Sequence, residues 1–167
     1  NPPSGVVVYN LDGSIDPSFA AGTPFNSAIF SLVPLANGKL LVGGYFDTFN
    51  GADTGSLVRL NADGALDSTF TPNPKFESVV GVRVAANGQI YVLGMRKGHA
   101  DNPYQLFRLT ADGTADQTFL SAAQFIDSFV LQEDGKVIDM MALLKQSMEK
   151  HAESKKTTLA PKKRKKA

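Results

Sequence analysis

Three pairs of aspartates share the spacing Asp-Gly-x-x-Asp: Asp12 and Asp16, Asp63 and Asp67, Asp112 and Asp116. Carboxylates so spaced offer oxygen donors to a hard cation such as calcium. The pattern lacks the alternating Asp and Asn ligands of an EF-hand loop, however, and a structural assignment competes. In that assignment the first Asp accepts local backbone hydrogen bonds while Gly supplies the positive φ of a turn. Arg59 and Arg108 occupy matching positions before Leu60 and Leu109. A repeated Arg beside a repeated Asp reads as an ion pair that holds the repeat, sooner than as a ligand clamp. His99, in Lys97-Gly98-His99-Ala100-Asp101-Asn102-Pro103, has no nucleophile in a recognisable motif with it and reads as a loop histidine rather than a base. No Cys is present, which removes thiol chemistry and cysteine-based zinc sites, and the other histidine, His151, is distant in sequence. No Walker loop, G-x-S-x-G or H-E-x-x-H occurs. The expectation is a protein that is not an enzyme, with no catalytic residues, no metal and no cofactor.

One cluster does suggest a ligand. Residues 155–167 hold Lys155, Lys156, Lys162, Lys163, Arg164, Lys165 and Lys166 and no acid. Such an arm can neutralise phosphates and release counterions, giving salt-sensitive binding to DNA or RNA without base readout. The run from Pro161 to Lys166 also has the form of a nuclear localisation signal, relevant only in a eukaryotic host. Against this stands a solvating tail with no dedicated partner. The net charge of +1 hides the asymmetry: residues 1–138 carry eight Lys/Arg and thirteen Asp/Glu (8 − 13 = −5), and residues 139–167 carry nine and three (9 − 3 = +6). These are two physically different pieces.

The elements that must position these residues repeat. The frame L-x-x-D-G-x-x-D-x-x-F fits Leu60 to Phe70 and again Leu109 to Phe119, and Asp12 to Phe19 supplies its Asp-Gly, Asp and Phe positions. A second marker runs in phase: Ala36-Asn37-Gly38-Lys39, Ala86-Asn87-Gly88-Gln89, and Glu133-Asp134-Gly135-Lys136. The period is about fifty residues. Within it, Ser27 to Ala36 and Val79 to Ala86 are apolar or β-branched runs ending at Asn-Gly, a pair that closes two-residue hairpins. Lys39 to Phe46 and Gln89 to Met95 return, and Ser56 to Asn61 or Gln105 to Thr110 gives a third strand. The segment Leu66 to Phe70 or Ala115 to Phe119 gives a short fourth. Four strands per fifty residues is the content of a propeller blade. The repeated Phe19, Phe70 and Phe119 are expected in the core between blades.

The chain of 167 residues, 43% hydrophobic and 20% charged, can bury one sizeable core. No apolar run approaches the roughly 18 residues needed to span a bilayer, so a membrane partner is not expected. After Ile138 the pattern changes. Asp139 suits a helix N-cap, and Met141, Leu144 and Met148 recur at helical spacing, which predicts an amphipathic helix over 139–154 followed by a disordered basic tail over 155–167. The fold class expected is therefore all-β: antiparallel four-stranded repeat blades, about two and a half of them in 1–138, forming a partial β-propeller, then the helix and tail.

The joint markers, Lys39-Leu40-Leu41-Val42-Gly43-Gly44-Tyr45-Phe46 and Arg59 to Phe70, resemble the delta-60 β-propeller repeat over about residues 6–138. Departures are Val92-Leu93-Gly94-Met95 in the second copy and the break after Ile138. The resemblance implies a bacterial, secreted or surface-attached parent without an assigned chemistry. Val137 to Ser147 with the Lys-rich end is similar to the carboxyl-terminal segment of bacterial Ku, a DNA end-joining family, over about residues 136–167. That resemblance implies an intracellular DNA contact through the tail, while the ring that encircles DNA has no counterpart here. Two functions follow as expectations: a non-enzymatic structural or interaction module that meets other chains or further repeats through open blade edges, or a nucleic-acid-binding accessory protein acting through the basic arm. Too few blades to close a ring leave edges open, so self-association or a truncated parent is expected.

Overall fold

A computed structural model describes residues 4–19, 24–98, 104–119, 129–131 and 137–139. It divides into two compact units, Asn1–Ile126 and Asp127–Ala167. In the first, β1 (Ile29–Pro34), β2 (Leu40–Gly44) and β5 (Leu57–Leu60) form an antiparallel sheet in the order β1-β2-β5. A short hairpin, β3 (Thr48–Phe49) and β4 (Ala52–Asp53), is inserted before β5. The next repeat builds the same sheet from β6 (Phe76–Val84), β7 (Ile90–Arg96) and β8 (Gln105–Leu109), in the order β6-β7-β8. The second unit contains the hairpin of β9 (Phe129–Leu131) and β10 (Val137–Asp139).

One turn recurs through the chain. After β1 the Gly38 amide donates to the Leu35 carbonyl at 3.0 Å and the Leu35 amide to the Lys39 carbonyl at 2.8 Å, with Gly38 at φ 77°. The second repeat has the same pattern at Ala85, Gly88 and Gln89, and the Asp-Gly turns have it at Asn10 to Ser14, Asn61 to Ala65 and Thr110 to Thr114. Only the Gly takes positive φ in each. That is a three-residue loop closed by a glycine bulge, and not the two-residue hairpin expected for Asn37-Gly38 and Asn87-Gly88. Two successive positive-φ residues occur instead at Asn50 (φ 50°) and Gly51 (φ 79°), between β3 and β4.

The sheets pack face to face. Leu41 and Leu57 of the first meet Val79, Val82, Ile90 and Val92 of the second, with Phe70 and Phe76 completing the cluster. The approach is close at Gly43, where an added Cβ would lie 2.6 Å from Cγ1 of Val79. The Val82 amide donates to Ser31 Oγ at 3.1 Å, a buried tie between β6 and β1. On the other face of the first sheet, Val42, Val58 and Leu60 form a second cluster with Val6, Phe25, Phe46 and Phe49.

Two expectations about the fold are corrected. Each sheet has three strands, not four: Leu66 to Phe70 and Ala115 to Phe119 contribute single bridges, Leu60↔Leu66 and Leu109↔Ala115. The reason is local. One residue past each bridge, Asp67 and Asp116 draw the chain into a turn, with the Phe70 and Phe119 amides donating to their carbonyls at 3.1 Å. The second correction concerns the helix. Asp139 is not its N-cap but the last residue of β10, in register with Phe129, and the described residues contain no helix. The β-branched Val137 and Ile138 lead into this ladder, opposite Leu131 and Val130. Residues 140–154, with Met141, Leu144 and Met148, lie outside the described residues, as does the tail 155–167.

A Cβ on Gly44 would collide with the Ala28 carbonyl oxygen, which accepts the Tyr45 amide at 2.8 Å. Gly44→Ala should therefore destabilise by about 2–3 kcal/mol. Exposed Ser68→Ala should cost under about 0.5 kcal/mol. Urea unfolding of both variants checks the contrast, and equal midpoints would contradict the packing described.

Candidate functional site

The Asp-Gly-x-x-Asp pairs spend their oxygens locally. Asp12, Asp63 and Asp112 each accept the amide two residues on, from Ser14, Ala65 and Thr114, at 2.9 to 3.0 Å. Asp16, Asp67 and Asp116 accept both amide and hydroxyl from Ser18, Thr69 and Thr118, at 2.6 to 3.0 Å. Such bonds stabilise the ionised form. They hold Asp12 and Asp16 below the ordinary carboxylate range, and Asp112 is lowered chiefly by the Thr110 hydroxyl. No group of three or more His, Cys, Asp or Glu that could hold a metal ion gathers among the described residues.

The arginines do meet the second Asp. Nε of Arg59 donates to Oδ2 of Asp67 at 2.6 Å, and its remaining nitrogens reach Thr69 Oγ1 at 3.0 Å and the Ala111 carbonyl at 2.6 Å. The last bond crosses to the Asp-Gly turn of the following repeat. Arg108 repeats the arrangement with two bonds to Asp116 Oδ2, at 2.9 and 2.7 Å. Each guanidinium also covers the aromatic ring that ends its frame, Arg59 over Phe70 at 4.8 Å and Arg108 over Phe119 at 4.9 Å. Phe70 is core, as expected, while Phe19 and Phe119 are half-buried.

A third partner went unread in the sequence. Nζ of Lys39 lies 2.6 Å from Asp67 Oδ2, so one carboxylate that is 3% exposed holds two cations. The Asn-Gly turn delivers Lys39 to the same end of the sheet as Leu60 and its closing segment, because Leu40 pairs with Leu60. In the second repeat Gln89 takes the Lys39 position, and among the described residues Arg108 is the one cation on Asp116. The hydrogen bond from Lys39, then that from Thr69, drives the Asp67 carboxyl far below its usual range against the opposing effect of burial. Asp116 is held at about 2 by the Thr118 hydroxyl and amide, with Arg108 adding.

A cleft of about 630 Å³ opens beside these sheets, lined by Asn26, Tyr45, Asp47, Glu77 and Lys97 among others. Asn26 Nδ2 holds Asp47 Oδ1 at 2.6 Å, so this carboxylate too is engaged within the protein. His99 and His151 lie outside the described residues, as do Lys155, Lys156, Lys162, Lys163, Arg164, Lys165 and Lys166.

Residues 35–70, from the end of β1 through Arg59, Asp67 and Phe70, match a domain of unknown function (DUF5122) described as a β-propeller. The match supports a β-propeller repeat family. No curated protein matches the chain. The match ends well before residues 136–167, and the expected likeness of that segment to bacterial Ku is not shown.

A carboxylate with a lowered folded pKa contributes stability that is complete above its unfolded value, about 3.9, and that is lost as pH falls through the folded value. For Asp116 that loss runs from about pH 4 to about 2, and for Asp67 it extends lower. Asp67→Asn leaves two cations without their counter-charge, so it should cost about 3 kcal/mol at pH 7. The difference from the unmodified chain should narrow between pH 4 and 2, as read by thermal melts. A gap that stays constant across that range would show that the ionised carboxylate is not what holds the turn.

Proposed function

We propose that the chain is a non-enzymatic structural or interaction module built from β-propeller repeats. The observation that carries this reading is where the repeat's charged groups go: Arg59 and Lys39 both bind Asp67, and Arg108 binds Asp116. The groups that recur with the period hold turns and join neighbouring repeats, which is the work of a scaffold. The family match at residues 35–70, to a propeller domain without an assigned chemistry, agrees with it. Partners would meet it through open sheet edges, where unpaired backbone groups invite another strand.

The charge asymmetry favours one rival. On that reading the seven cations of 155–167 contact nucleic acid, as the resemblance to bacterial Ku implies, and the repeats only carry them. A salt titration on mixed-sequence duplex DNA separates the two. The comparison is the full chain against a variant with all seven cations changed to Gln. The module reading expects equal, weak retention of both and unaltered protein self-association. Binding that falls steeply with salt and vanishes in the Gln variant, from chains that do not associate, would replace it with the rival.

A further inference from the structure

The cleft beside the two sheets forms where the first repeat leaves β2 and the second enters β6. Tyr45, Phe46 and Asp47 follow β2, Phe76 and Glu77 begin β6, and Lys97 follows β7. A buried hydroxyl clips these walls together. Ser56 Oγ lies 2.7 Å from both the Phe46 and the Glu77 carbonyls, and the Ser56 amide donates to the Phe76 carbonyl at 3.2 Å. Asn26, also in the lining, is locked by three bonds: its Oδ1 accepts the Asp47 and Thr48 amides at 3.1 and 3.2 Å, and its Nδ2 donates to Asp47 Oδ1 at 2.6 Å. The walls are thus set before any ligand arrives, which lowers the entropy lost on binding.

The repeat itself does not require the groups that line this cleft. Counted from Leu40 opposite Leu60 and Ile90 opposite Leu109, Tyr45 stands at the place of Met95 and Asp47 at that of Lys97. The charged groups that recur with the period are spent on turns, whereas these differ between repeats and stay accessible. Tyr45 is 48% exposed, and Asp47, Glu77 and Lys97 are exposed. Among the described residues the Glu77 carboxylate has no partner, Asp47 keeps Oδ2, and Asn26 keeps one N–H. The acid within reach of Lys97 Nζ, Asp53, is 3.9 Å away and open to water, which leaves the ammonium able to donate.

These remaining groups select a ligand class. An anion is opposed by Asp47 and Glu77, and an organic cation by Lys97. No third carboxylate or histidine joins the pair to hold a metal ion among the described residues. A sugar suits every group at once. Each hydroxyl can donate to a carboxylate oxygen and accept from an N–H, while the C–H face of the ring covers an aromatic side chain. We infer that this cleft binds a neutral saccharide, with a sugar ring on Tyr45 and its hydroxyls on Asp47 Oδ2, Glu77, Asn26 Nδ2 and Lys97 Nζ. The volume of about 630 Å³ falls within the roughly 300–1,000 Å³ of small-molecule sites. The inference goes beyond the module reading and does not involve the open sheet edges.

Saturation-transfer NMR on the full chain tests it, with maltotetraose, cellotetraose, chitotetraose and mannotetraose as neutral probes and spermidine and inorganic phosphate as charged ones. At least one neutral probe should bind with a dissociation constant of roughly 1 mM or below. Tyr45→Ala and Asp47→Asn should each weaken that binding roughly tenfold or more, and Tyr45→Phe, which keeps the ring, should stay within roughly threefold. Tyr9→Ala removes an exposed tyrosine outside the cleft and should change nothing. Because Tyr45 and Asp47 are exposed, the thermal midpoints of these variants should stay close to that of the unmodified chain. The inference is overturned by the failure of all four neutral probes to bind at roughly 20 mM. It is overturned equally by binding that survives Tyr45→Ala or Asp47→Asn, or by spermidine or phosphate binding in a Tyr45-dependent way more tightly than every saccharide. Each of those results leaves the module reading standing.

Discussion

A carboxylate shielded from water must be paired, and Asp67, 3% exposed, meets that demand with groups drawn from three parts of the chain. Lys39 comes from the turn before β2, Arg59 from β5, and Thr69 from the closing segment. Through Arg59 the network reaches the Ala111 carbonyl in the next repeat. Each partner fixes something beyond itself. Lys39 ties the hairpin turn to the closing segment, the Thr69 bonds end the fourth segment after one bridge, and the Arg59 plane lies over Phe70, which is core to both sheets. The second repeat runs the same network with one cation fewer and a more exposed acid. Its Asp116 accordingly retains a milder shift.

Stacking of the sheets follows from a different constraint. Two twisted sheets can interlock only where the backbone of one admits the side chains of the other, and Gly43 opens that space for Val79 and Val82. The corresponding residue of the second repeat is Leu93, 2% exposed. One motif therefore accepts Gly or Leu at the same position. The contact is also directional. The first sheet has one face against the second sheet, through Leu41 and Leu57, and one against Val6, Phe25 and Phe49.

Much of this was legible in the residues. The fifty-residue period, the turns at each Gly, the pairing of Arg59 and Arg108 with repeated acids and the core place of Phe70 all follow from signals that act within a few residues. A glycine that alone tolerates positive φ and an aspartate that reaches its own backbone two residues on need no tertiary context. The Asn-Gly pairs mark turns but not their length, because the composition of the pair does not say whether one or both residues take positive φ. Asn50-Gly51, where both do, carried the same signal.

What the sequence determined by itself is thus the repeat and its local punctuation. Tertiary structure decided the rest: that Lys39 joins Arg59 on one carboxylate, that the fourth segment stops at a single bridge, that Asp139 ends a strand, and that Leu32 is exposed where Val82 is covered. Equivalent residues in a repeat have equivalent propensities, so no local rule distinguishes Leu32 from Val82. They differ because burial depends on the sheet that arrives from elsewhere in the chain, and that arrival is settled only when whole sheets stack.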